Sequence, residues 1–411
     1  MKFGPSVKDH YTTVDVDRMR HDRAERLRSI LRKHNVPAML ISGANNVRYA
    51  TGFSSFEMQR QSTYALFVVE GDHVVFAPAG SYQQMPDLVP WVKEWRIARS
   101  WFGGIAGPTA SVEEAGKFAA EVKQVLETRS LLSEQIALAD FDQRAEAALR
   151  DAGINVVDGT MMLLESSAVK TPDEVLCLQM TAAISSAGFQ AARENLKPGA
   201  SQNEVNGFVL AALGKHGPEA TRSKVLSGPI AFERAVTDMD RIIEYGDLAY
   251  VRTCATSYLG YTCCLYRTYK VGTPPTSEEA DWYKQLKDRV DALIDTIRPG
   301  ATTADAAIHF PPASKWGYAD EAEVLTVEYG HGIGLVRLMG AAYINYNWPV
   351  INRQWSLDHP QVFEPGMVIA VESLEGAHRR GGVRVENMVV VTENGAERLD
   401  TYKDDEIVVT G

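Results

Sequence analysis

A histidine set between glycines, Gly330-His331-Gly332, and two glutamates that close apolar runs, Val371-Glu372 and Arg384-Val385-Glu386, are the residue types that move protons or hold a divalent cation. A third stretch adds Arg252, Cys254, Cys263, Cys264 and Tyr266. A free cysteine is most often a small buried hydrophobe, so Cys177 and Cys254 are expected in the core. Neighbours on a strand face opposite ways. Cys263 should therefore be core as well, while Cys264 shares a face with Tyr266, whose phenol could donate a proton or a hydrogen bond. Cys264 itself is open to three readings: nucleophile, ligand or packing.

The elements that must carry these residues are readable. Helical spacing of Met19, Leu27, Ile30 and Leu31 predicts a helix over 18–34. Strands follow at Ala38–Ser42, Tyr64–Val69 and His73–Phe76, the last two joined by the turn Glu70-Gly71-Asp72. Helices near Val112–Thr128 and Ala137–Ala152 complete an α/β pattern, giving a first domain over residues 1–165. The second, 166–411, opens with a capping box: Thr171 caps, Pro172 starts the helix and Glu174 reaches back. That helix should run to about Asn195.

The second domain repeats itself. Leu196-Lys197-Pro198-Gly199-Ala200-Ser201 returns about one hundred residues later as Ile297-Arg298-Pro299-Gly300-Ala301-Thr302. Each copy follows a long helix, the second opened by a Thr276/Glu279 capping box, and each precedes β-rich sequence, Asp247–Val271 and Met367–Val391. Two αβ halves facing each other across a site are the arrangement this suggests.

Composition bounds the partners. With 411 residues and 45% hydrophobic content the chain can bury two cores. A net charge of −11 argues against nucleic acid and anionic membranes. No continuous apolar run approaches a membrane span, no apolar leader follows Met1, and the four cysteines form no disulfide framework. A cytoplasmic protein is expected.

Four motifs in order make the chain resemble the creatinase/aminopeptidase P superfamily, the pita-bread fold. They are Ser227-Gly228-Pro229 with Gly246-Asp247-Leu248, Gly260-Tyr261 and Arg267-Thr268; then Gly330–Leu335; then Pro365–Glu372; then Gly382–Asn387. The resemblance covers roughly residues 166–400, and more loosely the N-terminal domain. It implies an α/β (α+β) protein: a pita-bread catalytic domain with internal duplication behind a smaller creatinase-like domain. In the family's metallopeptidases two Asp, one His and two Glu hold two divalent metals. Carried over, the His falls on His331 and the Glu on Glu372 and Glu386, but the two Asp positions fall on Arg252 and Cys264. Two further family histidines fall on Ala235 and Leu338.

What this implies is an expectation about cofactors. Without metal, Arg252 and a protonated His331 balance Glu372 and Glu386. With one dication, Arg252 and the metal balance both glutamates and a Cys264 thiolate. The metal-free state is favoured, because Arg252 projects its charge where a metal would sit; the alternative is one zinc or iron ion on Cys264, His331, Glu372 and Glu386. The resemblance further implies a homodimer in which the loop Phe53–Gln61 closes the neighbour's site, with Phe56, Arg60 and, elsewhere, Arg337 binding a substrate carboxylate. The leading function is a metal-independent hydrolase cleaving a non-peptide C–N bond in a small zwitterionic nitrogen compound, creatine-, guanidino- or ectoine-like. Glu372 or Glu386 would activate water, His331 supply a proton, and Arg252 polarise or anchor the substrate. The alternatives are a mononuclear-metal Xaa-Pro peptidase-like hydrolase or small-acid lyase, and an inactive ligand-binding member.

Overall fold

The computed structural model describes residues 14–54, 63–232, 240–254, 256–324, 329–336 and 346–411. The chain divides into two compact units, one built on Val16–Ser167 and the other on Ala168–Gly334 and Ala342–Gly411.

The first unit is a six-stranded sheet in the order β4-β3-β2-β1-β5-β6. The strands are β1 (Ala38–Ser42), β2 (Tyr64–Val68), β3 (Val74–Ala77), β4 (Glu94–Ile97), β5 (Gln135–Ala139) and β6 (Asn155–Asp158). Its helices are α1 (Val16–Lys33), α2 (Ala44–Thr51), α3 (Gly103–Thr128), α4 (Gln143–Asp151) and α5 (Thr160–Ala168). The helix expected over Ala137–Ala152 is corrected: its first turn is strand β5, paired with β1 and β6. The run Ile136-Ala137-Leu138-Ala139 is buried in the middle of the sheet, where tertiary burial overrides helix propensity. Helix α4 starts only where the Asp142 side chain accepts from the Ala145 N–H. Helix α3 begins nine residues earlier than expected and bends at Gly107, whose φ is 75°. Tyr64, Phe76, Trp101 and Phe118 centre the core of this unit.

The second unit holds a nine-stranded sheet, β13-β12-β14-β15-β11-β8-β7, with β16 on β15 and β17 on β11. Its main strands are β7 (Lys224–Ser227), β8 (Leu248–Arg252), β11 (Tyr266–Val271), β12 (Tyr329–Ile333), β13 (Tyr346–Ile351), β14 (Val368–Ala377) and β15 (Gly381–Val391), with β9 (Ser257–Tyr258) and β10 (Tyr261–Thr262) as a separate ribbon and β16 (Ala396–Arg398) and β17 (Val408–Thr410) at the end. Both capping boxes form, opening α6 (Pro172–Asn195) and, after α7 (Gln202–Gly214), α8 (Ser277–Thr296). By length and composition α6 is apolar enough to cross a membrane, as a buried core helix also is; Gln179, Thr181, Ser185, Ser186 and Gln190 interrupt it, so it is no continuous apolar run. Twelve of its residues are buried, among them Cys177, Leu178, Ile184 and Phe189.

The duplication is exact at the level of hydrogen bonds. The Gly199 N–H donates to Ile243 O and that of Gly300 to Phe363 O. Gly246 donates to Val271 O, and Gly366 to Val391 O. The bridges Ser201↔Ile242 and Thr302↔Val362 match as well. Each Pro-Gly therefore ends a helix and delivers the chain to the edge of an equivalent hairpin.

Candidate active site

The site is a property of strand register. Glu372 of β14 pairs directly with Glu386 of β15, and directly opposed residues share a face. Tyr329 of β12 lies opposite Glu372, Tyr266 of β11 opposite Glu386, and Arg252 of β8 opposite Tyr266. Alternation then places His331, Glu372, Arg384, Glu386, Tyr266 and Arg252 on one face of five adjacent strands. The other face carries Val371, Val383 and Val385, which pack with Leu286, Val290 and Leu293 of α8.

His331 is fixed by its glycines. Its register with β13 shifts between His331 and Gly332, and a Cβ at Gly332 would overlap the carbonyl of Trp348, so only glycine fits. Nδ1 of His331 lies 2.8 Å from Gly332 O. A carbonyl only accepts, so Nδ1 carries the proton and Nε2 is the nitrogen turned to the site, 3.6 Å from Glu386 Oε1. That oxygen accepts no hydrogen bond among the described residues. Burial and the neighbouring Glu372 push the Glu386 carboxyl above the usual range, partly offset by His331.

Cys264 sits with its sulfur 2.8 Å from that of Cys254, and Cys254 Sγ is 3.9 Å from Glu386 Oε2. Both thiols are buried. Burial, the adjoining Cys254 and the two carboxyls hold the Cys264 thiol well above the usual range. Cys254 was expected to be plain core packing; it instead joins the site, because a turn with φ of 49° at Leu259 and 84° at Gly260 folds the segment back. Cys263 points away, its sulfur 2.9 Å from Thr253 O and 3.0 Å from the Ser185 hydroxyl; burial raises it to about 12.

The guanidinium against the carboxylates is not the one expected. Arg384 NH1 lies 3.6 Å from Glu372 Oε2, both side chains buried, with Arg384 over the rings of Tyr266 and Tyr250. Arg252 makes no ion pair with Glu372 or Glu386 among the described residues. Its NH1 donates to the Tyr266 hydroxyl at 3.5 Å, because strand β11, which carries Tyr266, lies between β8 and β15. Burial opposes its charge, while Tyr266, Cys254 and Cys264 keep it above the usual arginine range. Arg384 and Cys254 were the residues sequence reasoning passed over. The signals were present: Arg384 is two residues from Glu386 and hence on its face, and Cys254 and Cys264 are equidistant from Leu259. Phe56, Arg60, Ala235, Arg337 and Leu338 lie outside the described residues.

Among the described residues the three metal-binding side chains with ligand atoms within 4.8 Å of one another are Cys254, Cys264 and Glu386.

Comparison with known proteins gives this face a lineage. The profile of metallopeptidase family M24 matches residues 177–393, and that of the creatinase/prolidase N-terminal domain matches residues 23–160. The dimethylsulfoniopropionate lyase DddP of Roseovarius nubinhibens is 24% identical over 98% of this chain and 90% of its own length. An Xaa-Pro dipeptidase of Pyrococcus furiosus is 28% identical over 56% of this chain and 62% of its own. In fold, the prolidase of Pyrococcus horikoshii superposes with a TM-score of 0.73 at 20% identity, covering 94% of this chain and 99% of that one. The chain belongs to metallopeptidase family M24, with a creatinase/prolidase-type domain ahead of the pita-bread domain.

Proposed function

We propose that the protein is a hydrolase that cleaves a C–N bond in a small, carboxylate-bearing substrate without the two-metal centre its resemblance implies. The observation that carries this is the pairing of Glu372 with Glu386 beside His331, on the face where the family's catalytic groups lie. Glu372, its charge balanced by Arg384, is placed to take a proton from an attacking water. Arg252, half-buried and steadied by Tyr266, anchors the carboxylate.

The donor set speaks against two metals. Glu372, Glu386 and both thiolates would supply four negative charges, against two dications plus Arg252 and Arg384. The uncompensated +2 would be buried, at a cost that side chains here have no means to offset.

The named relatives favour Xaa-Pro dipeptides as the first substrates to try, with creatine-, guanidino- and ectoine-like compounds next. Elimination from a small acid is the second reading, supported by the full-length likeness to a lyase. Subunits pair as a homodimer in this reading, with Phe56 and Arg60 of one closing the site of the other. None of the four cysteines is in a disulfide, which accords with a cytoplasmic location.

The test is turnover of that panel followed by mass spectrometry, with Glu372→Gln alongside. Hydrolysis products lost in the variant support the reading. Release of an unsaturated acid without uptake of water would select the lyase, and no turnover by folded, reduced protein would reject both.

A further inference from the structure

We propose that Cys254, Cys264, Glu386 and His331 bind a single thiophilic divalent cation, zinc by preference. This rests on the site just described, though not on the reaction assigned to it. The two sulfurs and a Glu386 oxygen lie within 4.8 Å of one another, all three residues buried. Three such ligands at the vertices of a small triangle are three of the four donors of a tetrahedral Cys/Cys/His/carboxylate zinc set; His331 stands outside that triangle, beside Glu386, and closes in on binding to supply the fourth. Across a tetrahedral zinc two sulfurs stand about 3.7 Å apart, given Zn–S distances of about 2.3 Å. The present 2.8 Å therefore opens by roughly 1 Å on binding, within reach of side-chain rotation.

The histidine supplies the independent observation. Its Nδ1–H is committed to the Gly332 carbonyl at 2.8 Å, the outer hydrogen bond that orients a metal-bound imidazole. That commitment turns Nε2 to Glu386 Oε1 at 3.6 Å, too long for a hydrogen bond. Oε1 accepts no other among the described residues. A cation in that gap, displacing any proton that Nε2 carries, would meet one donor atom on each side.

Charge agrees with one ion. One dication with Arg252 and Arg384 carries +4, and two thiolates with Glu372 and Glu386 carry −4. Arg384 lies 3.6 Å from Glu372, so a second dication held by that carboxylate would meet a like charge. Soft sulfur donors select zinc over magnesium, calcium or manganese. The family pattern named above uses neither Cys254 nor any thiolate, so this is a rebuilt centre.

The test loads reduced, chelator-stripped full-length protein with cobalt(II), then zinc. One equivalent of cobalt should bind with a thiolate-to-cobalt charge-transfer band in the near ultraviolet, and zinc should abolish the band. The band should weaken in Cys254→Ser, vanish in the Cys254→Ser/Cys264→Ser double variant, and persist in Cys177→Ser. If the serine variants do not fold, X-ray absorption on the zinc-loaded parent protein decides, with two sulfur ligands expected. No uptake, two equivalents, or one equivalent without sulfur ligation would each overturn the proposal. Since none of these readouts uses turnover, an intact metal site with no hydrolysis would sink the proposed reaction alone.

Discussion

Cys254 and Cys264 are brought sulfur to sulfur, 2.8 Å apart, by a turn centred on Leu259 and Gly260. The relationship depends on the turn keeping its left-handed backbone. A β-branched residue at Gly260, where φ is 84°, should shift the hairpin register. Gly260→Val is expected to lose the cobalt–thiolate band while keeping its far-ultraviolet dichroism, a comparison one titration makes.

Arg384 and Arg252 should part company in stability. Arg384 is fully buried against Glu372, so Arg384→Leu takes the guanidinium away from a buried carboxylate and should cost about 3–5 kcal/mol in urea unfolding. Arg252→Leu breaks one long hydrogen bond to Tyr266 and should cost less than about 1.5 kcal/mol, while raising KM for carboxylate substrates. Equal losses of stability would mean that Arg252, not Arg384, balances the glutamates.

His73 should make the N-terminal unit sensitive to acid. Burial, Arg28 and Arg129 lower its pKa to about 3. The Val68 N–H donates to its Nδ1, and Arg28 faces its Nε2. The folded state thus binds fewer protons than the unfolded one between about pH 6.5 and 3. The stabilisation is fully present above the unfolded pKa and falls as pH drops through this window, by up to about 1.4 kcal/mol per pH unit. His73→Gln should flatten that slope in denaturant titrations at pH 7, 6 and 5; an unchanged slope would show that other groups set it.

The capping box at the head of α8 is a separate test of the duplication's framing. Thr276→Ala removes the acceptor for the Glu279 N–H and should cost about 1 kcal/mol by thermal unfolding. A loss above about 3 kcal/mol would mean the residue does more than cap.

Subunit exchange tests the dimer. Inactive Arg60→Ala and Glu372→Gln chains, mixed and allowed to exchange, should regain partial activity, because half the mixed sites then have both intact residues. No recovery despite demonstrated exchange would mean each chain closes its own site.

Much of this arrangement could be read from the sequence because local rules and register agree there. The Thr171 and Thr276 boxes and the two Pro-Gly stops are short-range patterns that the fold preserves. The misses are long-range. Ala137–Ala139 reads as the start of a helix until its burial between two strands is known. Cys254 reads as core until the turn angle at Leu259 and Gly260 shows which sulfur it meets. Arg252 and Arg384 are chemically alike, and only the order of strands decides which of them reaches Glu372.

The central claim is that the family's metal face has been rebuilt around two thiols and one cation. Anomalous diffraction at the zinc edge, on crystals of reduced protein grown with zinc, tests it most directly. The account predicts one peak per chain, enclosed by Cys254, Cys264, Glu386 and His331. Two peaks roughly 3.5–4 Å apart, the spacing of a dinuclear centre, or no peak at that place, would contradict it.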